Sequence, residues 1–143
     1  MAAYVVDASV VIQYAIAQAQ TAAARSLVAR MYGGDTLHIP EFCLLECTNV
    51  LWKQVRFHGL PPINAEQITQ ELLRLPFQVE SVSHLLPNAL EIGLTYQLAV
   101  YDSLYIALAQ YLGLPLITVD DRQSVAATAS CVVVKPVDYF STG

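Results

Sequence analysis

The sequence predicts an α/β fold in which helices cover both faces of a parallel sheet. Short apolar runs without polar alternation, as at residues 4–6 and 114–119, are typical of strands buried on both faces. Between these runs lie longer stretches with apolar residues at helical spacing. An alternation of strands and helices favours a parallel sheet with right-handed crossovers. The order of the strands in the sheet does not follow from this pattern.

The composition indicates one domain with a large core. At 143 residues the chain is long enough for one such domain and short for two, so we expect residues 1–143 to form a single domain. Apolar residues make up 55% of the chain and charged residues 13%, against about 25% charged in an average soluble domain. This surplus predicts exposed apolar surface that a partner or a second subunit covers.

The first half of the chain is predicted to contain two strands and four helices. A Gly-Gly-Asp turn at residues 33–35 ends the second of two Ala-rich helices. Pro40 precedes the longest predicted helix and Gly59 terminates it. Asn64 is expected to cap a helix of about ten residues that ends before Pro76. The other predicted ranges are strands 4–6 and 37–39 and helices 9–18, 22–32 and 41–58.

The second half is predicted to contain three strands and three helices. A break near residues 99–100 separates a helix that has Pro87 near its first turn from a strongly apolar helix closed by Gly113. The apolar helix starts at residue 101 or 102, and Pro136 is placed in a tail after the last strand. The predicted ranges are strands 77–79, 114–119 and 131–134 and helices 83–96, 101–112 and 123–129.

Charge, cysteines and hydropathy narrow the class of protein. The net charge of −5 argues against a general nucleic-acid coat protein, but not against an enzyme whose acidic site first binds metal. Cys43, Cys47 and Cys131 lack the Cys and His spacing of a zinc site and are expected to be buried free thiols. Apolar stretches are interrupted well before the about 20 residues that span a bilayer, so no membrane association is expected. The chain starts without a basic segment and carries Asp7 early, so we expect a cytoplasmic rather than an exported protein.

Acidic residues occur where a parallel sheet would bring them together, beyond the carboxyl ends of its strands. Asp7 follows the first strand, Glu46 lies early in the helix after the second, Asp102 opens an apolar helix, and Asp120 follows the fourth strand, with Asp121 in reserve. Mg²⁺ and Mn²⁺ prefer oxygen ligands, so these carboxylates are a candidate metal site for phosphodiester hydrolysis. Without metal they would repel one another, and some would be pushed toward protonation.

Each of these residues also has a structural interpretation. Asp102 and Asp120 could simply cap helices. Glu46 could be a solvated residue of a long helix. Asp7 is harder to explain by structure alone, because a charged group against a buried strand costs several kcal/mol unless it is compensated.

Four blocks of the sequence contain the acidic residues: 6–10 (VDASV), 40–51 (PEFCLLECTNVL), 101–109 (YDSLYIALA) and 116–120 (LITVD). Together, in this order and spacing, the blocks resemble the PIN domain family, and more narrowly its VapC-type toxins of toxin–antitoxin pairs. The resemblance covers nearly the whole chain. It implies a five-stranded parallel sheet of order 3-2-1-4-5 flanked by helices, and Mg²⁺- or Mn²⁺-dependent endoribonuclease activity.

The resemblance also implies roles for single residues. The four acidic residues match the family's metal-binding quartet, while Ser9 matches a hydroxyl position beside the metal and Asn49 a polar position one turn beyond the glutamate. Thr118 matches the Thr or Ser that precedes the last acid by two. Asp121 departs from the common pattern, which leaves open whether it or Asp120 binds the metal.

The expected substrate and partners follow from the same resemblance. An RNA substrate needs positive charge nearby, and Arg122, Lys53 and Arg56 are candidate phosphate contacts, although each could be solvated surface charge. Tyr101 and Tyr105 are expected in the core or a dimer surface rather than in a base-stacking platform. A homodimer is expected, and so is a cognate antitoxin that inserts an Arg among the carboxylates.

Two alternatives remain open at this point. A DNA-directed or structure-specific nuclease could use the same acidic cluster. A PIN-fold binding or dimerisation module with weak or no nuclease activity would agree with the low content of basic residues and the apolar surplus.

Overall fold

A computed structural model describes residues 1–141 and contains one five-stranded parallel sheet of order β3-β2-β1-β4-β5. This is the order implied by the family resemblance, and it confirms the predicted fold class. The five strands are β1 Ala3–Val6, β2 Thr36–Pro40, β3 Gln78–Glu80, β4 Leu116–Thr118 and β5 Val134–Pro136.

Strand β1 is the centre of the sheet. It pairs with β2 through Tyr4 and Leu37 and with β4 through Val6 and Ile117. Tyr4, Val5 and Val6 are buried, as their unbroken apolar run predicts. The chain turns to opposite sides of β1 to form β2 and β4, so the carboxyl end of β1 lies where a crevice opens.

Seven α-helices flank the sheet within residues 1–141, and short 3₁₀ turns lie at 30–33, 83–85 and 137–140. The helices are α1 Ala8–Ala15, α2 Thr21–Ala29, α3 Phe42–His58, α4 Pro62–Arg74, α5 Leu86–Tyr96, α6 Val100–Leu112 and α7 Asp121–Ala129. Helix α6 packs against β1, β2 and β4, and every residue from Ser103 to Ala109 is buried. No helix in this part of the chain combines the length and the apolarity needed to cross a membrane.

Several helix starts differ from the predicted ones; α5, for example, begins at Leu86, after the 3₁₀ turn at 83–85, and not at residue 83. Helix α4 begins at Pro62, so Asn64 lies inside its first turn and is not the cap. Proline favours this position because its φ is preset and its missing N–H would have no partner there. Helix α7 begins at Asp121 rather than 123, because the Asp120 carboxylate caps it by accepting a hydrogen bond from the Gln123 backbone N–H at 3.0 Å.

The last strand also lies later than predicted, at Val134–Pro136 instead of 131–134. Cys131 has a φ of 65°, and the turn after α7 occupies the residues expected to start the strand. Pro136 is tolerated in β5 because this is an edge strand, paired on one side with β4. Cys43 and Cys47 are buried free thiols as predicted, but Cys131 is exposed in this turn and the prediction was wrong for it.

Candidate active site

The Asp7 side chain lies at the carboxyl end of β1 and is 5% exposed. One carboxylate oxygen, Oδ2, accepts the Ser9 backbone N–H at 3.0 Å and so caps α1. The other, Oδ1, accepts a hydrogen bond from the Gln123 amide at 3.0 Å. Burial raises the pKa of Asp7, the hydrogen bonds from Ser9 and Gln123 oppose that rise, and the charge of Asp120 adds to it. The Asp7 carboxylate is therefore held by uncharged donors, and it takes part in no ion pair within residues 1–141.

Glu46 is in the second turn of α3, and its Oε1 accepts a hydrogen bond from the Tyr105 hydroxyl at 2.9 Å. Burial raises the pKa of Glu46 to about 7, and the charges of Asp7 and Asp102 add to the rise. Glu46 is thus no solvated surface glutamate. It is near enough to two other acids for their charges to act on it.

Asp102 lies in the first turn of α6, where Ala99 occupies the capping position. The interpretation of Asp102 as a helix cap was therefore wrong. Burial raises the pKa of Asp102 to about 6, and the charges of Asp7 and Asp120 contribute, while Arg122 lowers it. The first turn of a helix carries partial positive charge, which compensates part of this cost.

The neighbouring acids Asp120 and Asp121 have different surroundings. Asp120 is partly buried, caps α7, and acts electrostatically on both Asp7 and Asp102. Asp121 is exposed on the first turn of α7. The structure thus brings Asp7, Glu46, Asp102 and Asp120 into one electrostatically coupled group, and Asp121 stands outside it.

Ser9 and Thr118 join the ends of the two central strands beside this group. The Ser9 hydroxyl lies 3.4 Å from the Thr118 hydroxyl and accepts the Val119 backbone N–H at 3.3 Å. The Thr118 hydroxyl in turn accepts the Asp120 backbone N–H at 3.0 Å. Asn49 is exposed on α3, one turn beyond the glutamate.

One of the three candidate basic residues reaches the acidic group. Arg122 donates a hydrogen bond to the Gln97 carbonyl at 2.7 Å and is near enough to Asp102 to lower its pKa. Lys53 and Arg56 are exposed further along α3, about 10 and 15 Å beyond Glu46 by the rise of a helix. The Arg56 guanidinium lies over the Phe57 ring at 5.3 Å. Neither is placed beside the carboxylates.

A sequence model of the PIN domain family matches residues 4–129 of the chain. The chain belongs to the PIN domain family. It is 30% identical over 118 residues to Ribonuclease VapC3 of Pyrobaculum aerophilum, covering 81% of this chain and 88% of that protein. The family model spans all four acidic positions of the group.

Two crystal structures share the fold of this PIN domain. PAE2754 from Pyrobaculum aerophilum has a TM-score of 0.75 at 23% identity, with 96% of this chain and 85% of that chain covered. VapBC2 from Rickettsia felis, bound to a DNA fragment from their promoter, has a TM-score of 0.70 at 10% identity, with 94% and 98% covered.

The acidic group of this PIN domain has the donor chemistry of a divalent cation site. All four side chains offer carboxylate oxygens, which are the ligands that hard divalent cations prefer. Several of them are desolvated, and their charges act on one another. At Asp102 the positive charge of Arg122 counteracts this repulsion. Within residues 1–141, no three His, Cys, Asp or Glu side chains stand close enough to hold a metal ion as they are placed. The donors therefore fit a cation, but a bound ion would have to draw the side chains together.

Two further polar residues belong to the site, although their sequence context does not predict it. Tyr105 was assigned to the core or a dimer surface, and it is fully buried, but its hydroxyl also contacts Glu46. The sequence predicts Gln123 only as the start of a helix, whereas its side chain is fully buried against Asp7. A Gln three residues after a helix-capping Asp is a weak signal, because nothing local shows that its side chain turns inward.

Proposed function

We propose that this PIN domain is a metal-dependent endoribonuclease of the VapC type, in which Asp7, Glu46, Asp102 and Asp120 bind one or two Mg²⁺ or Mn²⁺ ions. One observation carries the proposal: four carboxylates from four different elements share a partly desolvated site, in which burial and the charges of neighbouring acids raise the pKa of Asp7, Glu46 and Asp102. Such a cluster is costly unless a cation compensates it. The 30% identity to a ribonuclease over most of the chain supports the reaction type.

Different residues of such a site would bind the metal and contact the RNA phosphate. Asp7 and Asp120 lie at the ends of adjacent strands, and Glu46 and Asp102 lie on α3 and α6, so that a bound cation would meet carboxylates on several sides and could face an RNA phosphate. A bound Mg²⁺ or Mn²⁺ would polarise the phosphate and lower the pKa of a water molecule. Arg122, held by the Gln97 carbonyl beside Asp102, is the candidate contact for a phosphate oxygen.

The first test is cleavage of single-stranded RNA by the purified protein, free of antitoxin, with Mg²⁺ or Mn²⁺ present. We expect Asp7→Asn and Asp120→Asn each to lower the rate at least about 100-fold, because each removes a charged ligand from a site that binds through charge. Asp121→Asn is the matched control. It removes the same charge from the adjacent exposed residue and is expected to keep most of the activity.

Absence of RNA cleavage by the wild-type protein with either metal would contradict the proposal. So would full activity of Asp7→Asn. If Asp121→Asn lost activity and Asp120→Asn kept it, the fourth metal ligand would be Asp121 and not Asp120. Parallel assays on flap DNA would show whether the nuclease is directed to DNA instead.

The alternative of a binding module has one observation in its favour, namely that the carboxylates are not gathered around a ready-made metal position within the described residues. Calorimetric titration with Mn²⁺ separates the two functions. An enzyme of the proposed type binds Mn²⁺ and loses that binding in Asp102→Asn. A module of the alternative type need show no such site.

The proposal extends to two protein partners. The structural likeness to the VapBC2 assembly supports an antitoxin partner, and a cationic side chain of such a partner would match the acidic group. A homodimer is supported by α5, whose Leu86, Leu90 and Leu94 are 48, 51 and 69% exposed and form an apolar stripe one turn apart.

A further inference from the structure

We propose that Gln123 is a positioning residue of the acidic site, whose amide group holds the Asp7 carboxylate against the first turn of α6. The inference rests on the proposed function and adds to it a residue that sets the relative positions of two of its ligands.

Gln123 contacts three acidic residues from three different elements. Its Nε2 donates hydrogen bonds to Asp7 Oδ1 and to the Asp102 backbone carbonyl, both at 3.0 Å. Its backbone N–H donates to Asp120 Oδ1 at 3.0 Å. The end of β1, the start of α6 and the start of α7 are therefore joined at one side chain, which is 0% exposed.

The orientation of the Gln123 amide follows from the chemistry of its partners. A carboxylate oxygen and a carbonyl oxygen both accept hydrogen bonds, so the NH₂ end of the amide must face them. The other end, Oε1, is buried and has no hydrogen-bond partner within residues 1–141. An acceptor left unpaired in this way costs about 1–3 kcal/mol.

Packing alone does not account for a glutamine at this position. Leu or Met would fill the same space without an unpaired acceptor. The hydrogen bonds that the NH₂ group donates are therefore the feature that only the amide provides. A Lys or Arg could also donate to both acceptors, but its charge would neutralise the carboxylates and compete with a cation. A neutral donor orients Asp7 and leaves the negative charge of the group available.

The test compares Gln123→Met with the wild type. Methionine has a similar length and volume but no donor, so Asp7 and the Asp102 carbonyl lose their link. We expect the Mn²⁺ affinity measured by calorimetry to fall about 10- to 100-fold, the usual effect of removing a residue that orients a metal ligand. RNA cleavage at a fixed low Mn²⁺ concentration should fall in parallel and recover as Mn²⁺ is raised.

Gln110→Met is the matched control. The Gln110 amide also joins two elements, accepting from Asn88 at 2.8 Å and donating to the Ser130 carbonyl at 2.9 Å, but at the opposite end of α6. We expect this variant to keep the Mn²⁺ affinity of the wild type. Thermal unfolding of both variants identifies a temperature at which each is folded for the comparison.

The outcomes are separable. Wild-type protein that neither binds Mn²⁺ nor cleaves RNA would contradict the proposed function itself. Wild-type activity with unchanged Mn²⁺ affinity in Gln123→Met would overturn the role of Gln123 alone. Gln123→Leu serves as a second variant if the Met variant does not fold. Failure of both to fold, while the control folds, would also overturn the proposal, because Gln123 would then be required for the fold rather than for ligand position.

Discussion

At the scale of single residues, burial, repulsion between the acids and hydrogen bonds from uncharged donors together set the pKa values of the site. Burial is the largest cause of the raised pKa of Asp7, Glu46 and Asp102, and repulsion among the acids comes second. The expectation that metal-free carboxylates are pushed toward protonation is confirmed in direction, but desolvation contributes more than repulsion. For Glu46, the hydroxyl of the buried Tyr105 opposes this effect.

Removal of that hydroxyl should raise the pKa of Glu46 further. In Tyr105→Phe the ring keeps its place in the core, but the ionised Glu46 carboxylate loses a hydrogen bond, so the protonated form gains. Carboxyl ¹³C NMR titration of the metal-free protein measures this directly. We expect a Glu46 midpoint near pH 7 in the wild type and a higher one in the variant.

Tyr101→Phe is the control for this measurement. Tyr101 is exposed one turn earlier on α6, and its ring meets Phe42 edge-on at 5.4 Å, much as the Tyr105 ring does at 5.5 Å. The titration midpoint of Glu46 in Tyr101→Phe should equal that in the wild type. A Tyr105→Phe midpoint that did not move, or moved down, would show that the hydroxyl does not act on Glu46.

At the scale of elements, the approach of α5 to α6 sets where Asp102 stands. Gly93 of α5 lies against the turn that starts α6, and a Cβ at this position would be 2.7 Å from the Leu98 carbonyl oxygen and 3.3 Å from the Ser103 hydroxyl oxygen. Leu98 lies just before the first turn of α6, and Ser103 directly follows Asp102. Because Gly93 has no side chain, this turn can pack closely against α5, and the close packing sets where Asp102 lies.

Gly93→Ala tests this packing. Alanine in a helix interior is favoured over glycine by about 1 kcal/mol, so intrinsic propensity alone would stabilise the variant. We expect the clash with backbone to outweigh this gain and to lower the free energy of unfolding by about 1–3 kcal/mol, measured by denaturant titration.

Gly33→Ala is the comparison, because a Cβ there would have no heavy atom within 4 Å. Its effect should stay within about 0.5 kcal/mol. A stabilised Gly93→Ala protein would mean that the turn between α5 and α6 gives way at little cost.

At the scale of the whole molecule, the acidic site makes the stability of the metal-free protein depend on pH. Glu46 and Asp102 have pKa values of about 7 and about 6 in the folded protein, against ordinary values of 4.5 and 3.8. The folded state therefore binds more protons than the unfolded state between about pH 4 and 7. The contribution of these two groups to the free energy of unfolding is therefore fully present below their pKa values in the unfolded state. It is lost as the pH rises through their pKa values in the folded state.

We accordingly expect metal-free protein to melt at a lower temperature at pH 8 than at pH 5, by roughly 3–8 °C, as for a change of ~1–2 kcal/mol after the pKa shifts of these half-buried groups are discounted for solvent screening. Glu46→Gln should reduce this slope, because the amide does not titrate, while Glu91→Gln at an exposed position of α5 should leave it unchanged. Mn²⁺ should raise the melting temperature at pH 8 by binding the folded state. A melting temperature that rose steadily from pH 5 to 8 without metal would contradict this account.

Much of the fold could be derived from local patterns. The unbroken apolar runs, the glycine and proline breaks and the helical spacing predicted the five strands and seven helices, because each of these depends on residues close in sequence. The strand order came from the family resemblance alone. The positions of Asp7, Glu46, Asp102 and Asp120 followed from the same patterns, since the carboxyl ends of parallel strands meet at one edge of a sheet. The errors concerned element boundaries, as at Asn64 and β5, the burial of Cys131, and the interpretation of Asp102 as a helix cap.

The tertiary structure decided what depends on residues far apart in the chain. It placed Asp120 rather than Asp121 in the coupled group, separated Arg122 from Lys53 and Arg56, and showed Tyr105 and Gln123 as the donors to Glu46 and Asp7. The Gln123 contact spans 116 positions and the Tyr105 contact 59. Such contacts leave no periodicity in the sequence. The burial of a polar side chain depends on the partner that it contacts in the folded protein, and that partner is distant in the chain.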